Sequence, residues 1–437
     1  LESAGNVIFC KENDSLHMRG MVSKVAKAMK HNGALAIAQL SHAGRQTPRL
    51  VNPHPSSCSD VQLKVPQHIV GFGRPIPLTE QQVKTEVVDR FVFAAKLARD
   101  CGFDGVQLHG AHGYLLSSFM SPATNNRTDK YGGSAQNRMR VIREIFEEIR
   151  KEISAVTGFL VGIKMNTIEL NEKGLNVEEA KVLCGIIESI GFDFVELSGG
   201  TLERNAFIHK TDLDQKREAF FISFAEKGMV NAIQEGATDG IGLGRPITAE
   251  PDLPAKFFRK ECFSTADSKL NQNDFFMTLL ASQAQMGQMG KKPFAEQNSI
   301  CEGIADLSHP DEAMNFKEAA ILHVNKLKET AKRNEPFHGR IHSRIPASHV
   351  DVGILGQPLT FRSGRTAQNR FLKAALTERI STWDAKDPSK RGVPTQELIN
   401  LYDKWGHGKF GVTLTGNVCV EPVRFDFSLP AICQDSV

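Results

Sequence analysis

Three residues whose side chains could take part in acid–base chemistry lie close together in the stretch GVQLHGAHGYLL. His109 ends a short apolar run, His112 follows three residues later, and Tyr114 two residues after that. Imidazole N–H groups donate hydrogen bonds, and a phenolic O–H can deliver a proton. This pattern indicates a pair of donors for an oxygen atom whose negative charge grows during a reaction, with a proton donor beside it.

Two other interpretations of His109 and His112 stay open. In a helical turn this spacing would place both imidazoles on one face, where they could bind a metal ion, as in a metal-dependent barrel hydrolase. The pair could also serve only the local structure, with its hydrogen bonds satisfied inside the protein. Since no third ligand lies at the spacing of a metal site, we predict that these residues bind no metal.

A second polar pair could bind a phosphate group. Gly244 and Arg245, in DGIGLGRPI, offer backbone N–H groups and a guanidinium after another apolar run. The sequence has no G-x-G-x-x-G motif after a strand and no G-x-x-x-x-G-K-[ST] motif. A Rossmann or P-loop nucleotide site is therefore disfavoured.

The elements that carry these residues are short, almost continuously apolar runs, which is typical of parallel strands covered on both faces. The predicted strands span 34–40, 105–109, 160–165, 194–199, 240–244, 369–376 and 411–420. Helical patterns alternate with them and span 88–102, 134–153, 176–191, 273–290, 311–334 and 395–408. Ser134 is a predicted N-cap and Gly191 a predicted helix end. Repeated strand–helix units predict βαβ crossovers and a parallel sheet.

Polar residues recur where these strands end. In a closed parallel barrel, side chains at the carboxyl ends of the strands face the functional site, whereas the middles of the strands form the packed core. The residues at such positions are Gln39, His109, Lys164, Gly244 with Arg245, and Thr377. We therefore expect them to share one pocket.

Composition excludes several classes of protein. The chain has 437 residues, of which 41% are hydrophobic and 24% charged, and its net charge of +3 is too small to indicate a nucleic-acid partner. Its eight cysteines form no C-x-x-C pair, which favours a reducing, cytoplasmic location. No apolar run is long enough to cross a membrane, and no signal peptide is recognisable.

Three regions are expected along the chain. Residues 1–250 carry most of the strand–helix units, and residues 251–345 form a helical extension and a linker. Residues 346–437 again contain predicted barrel strands. The sequence does not indicate an oligomeric state.

Several motifs together resemble the Old Yellow Enzyme family of flavin oxidoreductases. They are AQLSHAGRQ, GFDGVQLHGAHGYLLSSFMSPATNNRTDKYGGSAQNR, VGIK, DGIGLGRPITAEPDL and NRFLKAALTE. The resemblance implies a TIM (β/α)8-type barrel with FMN at the carboxyl ends of its strands. It also implies that NADH or NADPH reduces the flavin, which then passes a hydride to a small, electron-poor alkene such as an enone.

The resemblance implies a role for each polar strand end. Ala375, Leu376 and Thr377 would line the flavin, and Gly416 and Gln39 would meet its pyrimidine end. Further members of the implied cofactor site are Lys164, which would stabilise charge on the reduced ring, and Gly244 and Arg245, which would hold the phosphate.

The resemblance also assigns the residues of the opening stretch. His109 and His112 would bind the substrate carbonyl, and Tyr114 would deliver a proton to the α-carbon while hydride reaches the β-carbon. Donors aimed at a nascent enolate stabilise the transition state more than the ground state, by about 2.7–4 kcal/mol for one donor in comparable sites.

Two departures from the family pattern are expected to alter the barrel. The segments NRFLKAALTE and GVTLTGN, which open the chain in the family, stand near its end here, so the strand order is that of a circular permutant or of the end of one gene joined to the beginning of a neighbouring gene. The seventh strand is missing: one helical stretch, about 217–235, fills the interval, with a join near Glu226 and Lys227. Seven strands remain recognisable, and an inactive or weakly flavin-binding remnant of the family is the alternative function.

Overall fold

A seven-stranded parallel sheet lies at the centre of the protein. The computed structural model describes residues 2–49, 51–63, 65, 71–169, 173–203, 226–272, 274–322, 351–384 and 386–421. The strands, in chain order, are β1 (Leu35–Ser41), β2 (Ser56–Ser57), β3 (Ile76–Pro77), β4 (Gly105–Gly110), β5 (Leu160–Asn166), β6 (Phe194–Ser198), β7 (Ile241–Leu243), β8 (Leu359–Thr360), β9 (Thr366–Ala367), β10 (Phe371–Lys373) and β11 (Val412–Cys419). Strands β2 with β3 and β8 with β9 form two small separate pairs.

The seven strands of the main sheet follow the order β6-β5-β4-β1-β11-β10-β7, and every neighbouring pair is parallel. Strands β10 and β11 thus lie between β1 and β7, although they come last in the chain. Among the described residues, β6 and β7 are the two edges of the sheet.

The sheet curves into a nearly closed barrel. Five strand spacings separate β6 from β10, which would be about 24 Å in a flat sheet. Phe194 of β6 and Leu372 of β10 nevertheless pack against the same apolar cluster, with Leu35, Leu160 and Leu414. Only a curved sheet brings these side chains together, so the predicted barrel class is confirmed.

Helices cover the outside of the barrel. Those in the described residues are α1 (Leu16–Met29), α2 (Glu80–Gln82), α3 (Asp89–Asp100), α4 (Leu115–Met120), α5 (Ala135–Arg138), α6 (Arg140–Glu152), α7 (Val177–Ile190), α8 (Glu226–Gln234), α9 (Pro246–Ala249), α10 (Leu253–Phe258), α11 (Phe275–Gly290), α12 (Pro310–Leu322) and α13 (Gln396–His407). A π-helical segment, Val83–Val88, leads into α3. None of these helices is both long and apolar enough to cross a bilayer.

The structure confirms two predicted helix boundaries. The Ser134 hydroxyl accepts a hydrogen bond from the backbone N–H of Asn137 at 3.3 Å, as an N-cap does. Gly191 ends α7 with φ of 103°, a left-handed conformation that glycine adopts without steric cost.

Three predicted elements differ from the structure. The helix predicted over 134–153 is divided at Met139, and the strand predicted over 369–376 ends at Lys373 because the next residues leave the sheet. Strand β6, predicted to be buried, is only half-buried. The end of the 311–334 helix, the linker that follows and most of the interval assigned to the missing strand lie outside the described residues.

A glycine makes room for an aromatic ring inside the barrel. A Cβ atom on Gly162 of β5 would lie 2.2 Å from the ring of Phe194, so only glycine permits the ring to lie across β5. This apolar layer fills the amino-terminal half of the barrel. The polar residues at the carboxyl ends of the strands therefore lie above a tightly packed apolar layer.

Helix α13 joins the extension to the barrel. Its Trp405 is fully buried and donates from Nε1 to the Ile247 carbonyl of α9 at 3.0 Å. Two buried side chains of α13 bind the carboxyl end of α11: Asn400 donates to the Gly290 carbonyl at 2.9 Å, and Lys404 to the Met289 carbonyl at 2.5 Å. These contacts fix α11 against the barrel.

Candidate active site

Polar side chains form a row across three neighbouring strands at the carboxyl end of the barrel. His109 of β4 is in register with Lys164 of β5, and Lys164 is in register with Glu196 of β6. The Lys164 ammonium lies 2.7 Å from the Glu196 carboxylate. His109 and Lys164, two of the predicted site residues, are thus adjacent, and Glu196 supplies a charge that balances the lysine.

The geometry of His109 defines its tautomer. Its Nδ1 accepts a hydrogen bond from the backbone N–H of Ala111 at 3.3 Å, so the proton of a neutral ring must be on Nε2. Burial, with the nearby His112 and the Lys164 charge, lowers the pKa of His109 well below its usual value. His109 is therefore a neutral donor with Nε2–H available.

His112 is held in an unusual backbone conformation. Its φ of 61° is left-handed, which costs free energy in a residue other than glycine. Its backbone N–H donates to Asn166 Oδ1 at 3.1 Å, and its Nε2 lies 2.7 Å from Ser198 Oγ. Burial lowers the pKa of His112 to about 3, with a smaller contribution from Lys164, so the ring is neutral. These bonds offset the strain and fix the imidazole.

Tyr114 packs against His109, with 4.6 Å between the ring centroids, while the two histidine rings are 5.3 Å apart and edge to face. The Tyr114 hydroxyl accepts a hydrogen bond from Asn417 Nδ2 at 3.3 Å. Burial and the negative charge of Glu2 raise the pKa of Tyr114 well above its usual value. The phenol is protonated at neutral pH and can act as a proton donor.

Gln39 belongs to the same group. Its Nε2 donates to Asn417 Oδ1 at 2.6 Å, so Asn417 of β11 connects Gln39 with Tyr114. Among the described residues, no partner reaches the buried Oε1 of Gln39. A ligand with an N–H group would satisfy this acceptor.

The segment after β10 carries Ala375, Leu376 and Thr377, all half-buried. It crosses close to β11, since a Cβ on Gly416 would lie 2.3 Å from the Leu376 carbonyl oxygen and 2.1 Å from Glu378 Oε2. The Gly416 N–H donates to Glu378 Oε1 at 2.8 Å. Gly416 therefore permits the close approach of this segment and of the Glu378 carboxylate.

Gly244 and Arg245 follow β7 at the same end of the barrel. The Ala374 N–H donates to the Leu243 carbonyl at 2.8 Å, which places Gly244 next to the segment that contains Ala375. A Cβ on Gly244 would meet no heavy atom within 4 Å. Arg245 donates from Nη1 to Thr278 Oγ1 of α11 at 2.9 Å, and burial lowers its pKa. The extension thus contacts the arginine predicted to bind phosphate.

Sequence reasoning missed the residues that orient the predicted ones. Asn166 and Ser198 hold His112, Glu196 pairs with Lys164, and Asn417 joins Gln39 to Tyr114. A signal for Glu196 was present, because a carboxylate inside an otherwise apolar run predicts a buried partner. Within the described ranges, no third His, Cys, Asp or Glu completes a metal-ligand set with His109 and His112.

These residues fit a bound flavin mononucleotide at two points. The unpartnered Gln39 Oε1 needs a donor, as the N–H of a pyrimidine ring would provide. Open space beside the Gly244 backbone and the nearby Arg245 suit a phosphate. These two points suit FMN, and Lys164 of the polar row lies beside His109.

Neutral imidazoles, a phenol and a buried cation at the strand ends of a barrel are typical of barrel enzymes that act on small molecules. Within that class, residues 12–260 match the model of the NADH:flavin oxidoreductase / NADH oxidase family. The match covers more than half of the chain, which therefore belongs to this family.

Similar proteins include fungal flavin oxidoreductases. NADH-dependent flavin oxidoreductase nadA of Aspergillus parasiticus is 39% identical over 295 residues, which cover 62% of this chain and 65% of that protein. NADH-dependent flavin oxidoreductase iccE of Talaromyces variabilis is 32% identical over 289 residues, covering 56% and 68%. The chain thus spans about two thirds of the length of these two relatives.

Among solved structures, the old yellow enzyme homologue from Zymomonas mobilis is similar with a TM-score of 0.46 at 20% identity. The similarity covers 61% of this chain and 88% of that chain.

Proposed function

We propose that this protein is an FMN-dependent oxidoreductase that uses NADH or NADPH to reduce the C=C bond of a small, electron-poor alkene such as an enone. The observation that carries the proposal is the cluster of His109, His112 and Tyr114, whose rings are 5.3 and 4.6 Å apart and whose imidazoles are neutral. The names of the fungal relatives support NADH as the electron donor.

The two imidazoles would bind the carbonyl oxygen of the substrate. His109 offers its Nε2–H, because its Nδ1 accepts from the backbone. If His112 Nε2 accepts from the Ser198 hydroxyl, its Nδ1–H is the second donor. Neutral donors stabilise the growing charge on the oxygen without donating a proton to it, which favours protonation at carbon instead.

Tyr114 would supply the proton to the α-carbon. Its high pKa keeps the hydroxyl protonated until charge develops on the substrate, and Asn417 orients the hydroxyl by donating to its oxygen. FMN, when bound, would supply the hydride for the β-carbon after reduction by NADH or NADPH. The residues that would hold FMN are Gln39, Lys164, Gly244, Arg245, Ala375, Leu376, Thr377 and Gly416.

The experiment separates the two half-reactions by stopped-flow absorbance of the flavin, with NADH and then 2-cyclohexenone as reactants. We expect His109→Ala and His112→Ala each to slow enone reduction by about 10²–10³-fold, since each removes one donor to the developing oxyanion. Flavin reduction by NADH should change by only a few fold.

His54→Ala is the matched control, because His54 is exposed and lies outside the site. It should leave both half-reactions unchanged. Equal losses in both half-reactions of the His109 and His112 variants would contradict the assigned roles.

The rotated strand order and the loss of the seventh strand also belong to the proposal. The position of β10 and β11 between β1 and β7 supports the permuted order. Among the described residues, β6 and β7 are the edges of the sheet, and the strand that is seventh in the family barrel would pair between them. Sequencing the transcript across the codons for 220–232 and 340–350 tests this, since an mRNA encoding a further strand would refute the loss.

The second candidate is a remnant of the family that binds flavin weakly, and the half-buried β6 favours it. Titration of the expressed chain with FMN distinguishes the candidates. Binding of one FMN per chain supports the enzyme, whereas a flavin spectrum and fluorescence unchanged by the protein would support the remnant.

A further inference from the structure

Three potential metal ligands meet on the face of the barrel opposite the candidate active site. His31 lies in the turn between α1 and β1, and Asp403 and His407 lie one turn apart near the end of α13. Helix α13 leads into β11, which pairs with β1 from Leu35 and Val412 onward. The cluster therefore joins the two turns that enter neighbouring barrel strands at their amino ends.

The three side chains are close enough to share one ion. One ligand atom from each of His31, Asp403 and His407 lies within 4.8 Å of the others. His31 Nδ1 is 3.5 Å from Asp403 Oδ1, and the imidazole centroids are 3.7 Å apart. Ligand atoms bound tetrahedrally at about 2.0–2.1 Å from zinc are about 3.4 Å apart, so the spacing suits one ion once the imidazole rings, now inclined by 30°, rotate to direct a nitrogen at it.

The backbone around these ligands is already fixed. Asn32 Nδ2 donates to the His407 carbonyl at 2.9 Å, and the Asn32 N–H donates to the Gly406 carbonyl at 3.2 Å. A Cβ on Gly406 would lie 2.0 Å from the Ala28 carbonyl oxygen, so α1 and α13 approach each other closely here. An ion would therefore order only side chains, which lowers the entropic cost of binding.

The His407 ring has a backbone anchor of the kind found at metal sites. Its Nδ1 lies 2.7 Å from the Asp403 carbonyl oxygen, and metal-binding histidines commonly use one nitrogen for such a bond and the other for the ion. A cation here would also face the carboxyl end of α13, where the helix dipole is negative.

We propose that His31, Asp403 and His407 bind a divalent transition-metal ion, with water completing its coordination. Two imidazoles and one carboxylate suit Zn²⁺ and its neighbours rather than Mg²⁺ or Ca²⁺, which prefer oxygen ligands. The side chains are 51%, 28% and 20% exposed, so an ion can reach them from solvent. The ion would link the turn after α1 to α13 and stabilise the barrel, at the end opposite the candidate active site.

The experiment uses the full chain without a histidine tag, dialysed against EDTA and then titrated with ZnCl₂ by calorimetry and thermal unfolding. We expect one Zn²⁺ per chain and a rise of the unfolding midpoint by several degrees, reversed by EDTA. His31→Ala and His407→Ala should each weaken binding at least tenfold and abolish the rise.

His17→Ala is the matched control, because His17 is an exposed histidine on α1 outside the cluster. It should bind Zn²⁺ as the original chain does. Absence of stoichiometric binding, or undiminished binding by His31→Ala, would overturn the proposal. If His407→Ala unfolds because it loses its contact with Phe294, the exposed His31 still decides the question. Enone reduction is a separate readout that this site should not affect.

Discussion

Strands β5 and β6 are neighbours in register, yet their surroundings differ. β5 pairs with β4 on one side and β6 on the other, and all seven of its residues are buried. β6 pairs only with β5 among the described residues, and it is half-buried. Met165 and Leu197 show the contrast directly: they are register partners, but Met165 is 0% exposed and Leu197 53%.

The difference shows that apolar sequence does not by itself determine burial. LVGIKM and FVELS have the same short, mostly apolar pattern, but burial requires a second strand and a covering helix. β5 has both, since Met165 contacts Cys184 of α7 at 3.5 Å. The position of a strand in the sheet therefore decides how much its side chains contribute to the free energy of folding.

The largest expected effect is on core packing. Met165→Ala should lower the free energy of unfolding by about 2–5 kcal/mol, because it leaves a cavity between β5 and α7. Leu197→Ala should cost less than about 1 kcal/mol, since this side chain already contacts solvent. Urea unfolding of both variants measures the difference, and equal losses would show that β6 is as well covered as β5.

The next effect concerns pH and the buried imidazoles beside the central strands. Burial lowers the pKa of His42, which follows β1, to about 4, below the unfolded value of about 6.5. Between these values the unfolded chain binds more protons, so stability falls as the pH falls from 6.5 to 4. His42→Gln should reduce this slope by about 1.4 kcal/mol per pH unit.

The measurement is urea unfolding at several pH values, with the exposed His17→Gln variant as control. His109 and His112 act in the same direction, since burial also lowers their pKa values. An unchanged slope in His42→Gln would mean that His42 is protonated in the folded protein.

The smallest effect compares two glycines. Gly162→Ala should cost about 1–3 kcal/mol, because the new Cβ would overlap the Phe194 ring and force it to move. Gly185→Ala in α7, where a Cβ meets nothing within 4 Å, should instead stabilise the protein by about 0.5–1 kcal/mol. Thermal unfolding decides the sign of each change, and a stabilising Gly162→Ala would mean that the ring moves without cost.

Much of the fold could be predicted from the sequence. Apolar runs located the seven strands of the barrel, in most cases to within one or two residues, because parallel strands are buried on both faces. The predicted length of β10 was wrong, since residues 374–376 are apolar enough for a strand but leave the sheet, and Leu376 passes close to Gly416 instead. Helix α1 was missed.

The candidate site was predictable in part. Strand ends indicated a shared pocket, and the structure has His109 in register with Lys164, Tyr114 packed against His109, and Gln39 joined to Tyr114 only through Asn417. The partners Asn417 and Ser198 could not be predicted, because they depend on register between strands far apart in the sequence. The pattern of apolar and polar residues describes one strand at a time, whereas a hydrogen bond between strands depends on how those strands are arranged in three dimensions.

The contacts between α13 and α11 limit how the chain can be shortened. Excision of the segment that contains α11 would deprive Asn400 and Lys404 of their carbonyl acceptors. Each buried donor left without a partner costs about 1–3 kcal/mol, and more when it is charged. A truncated version would therefore need apolar replacements such as Asn400→Leu and Lys404→Met before it could fold, so the extension and the barrel have to be engineered as one unit.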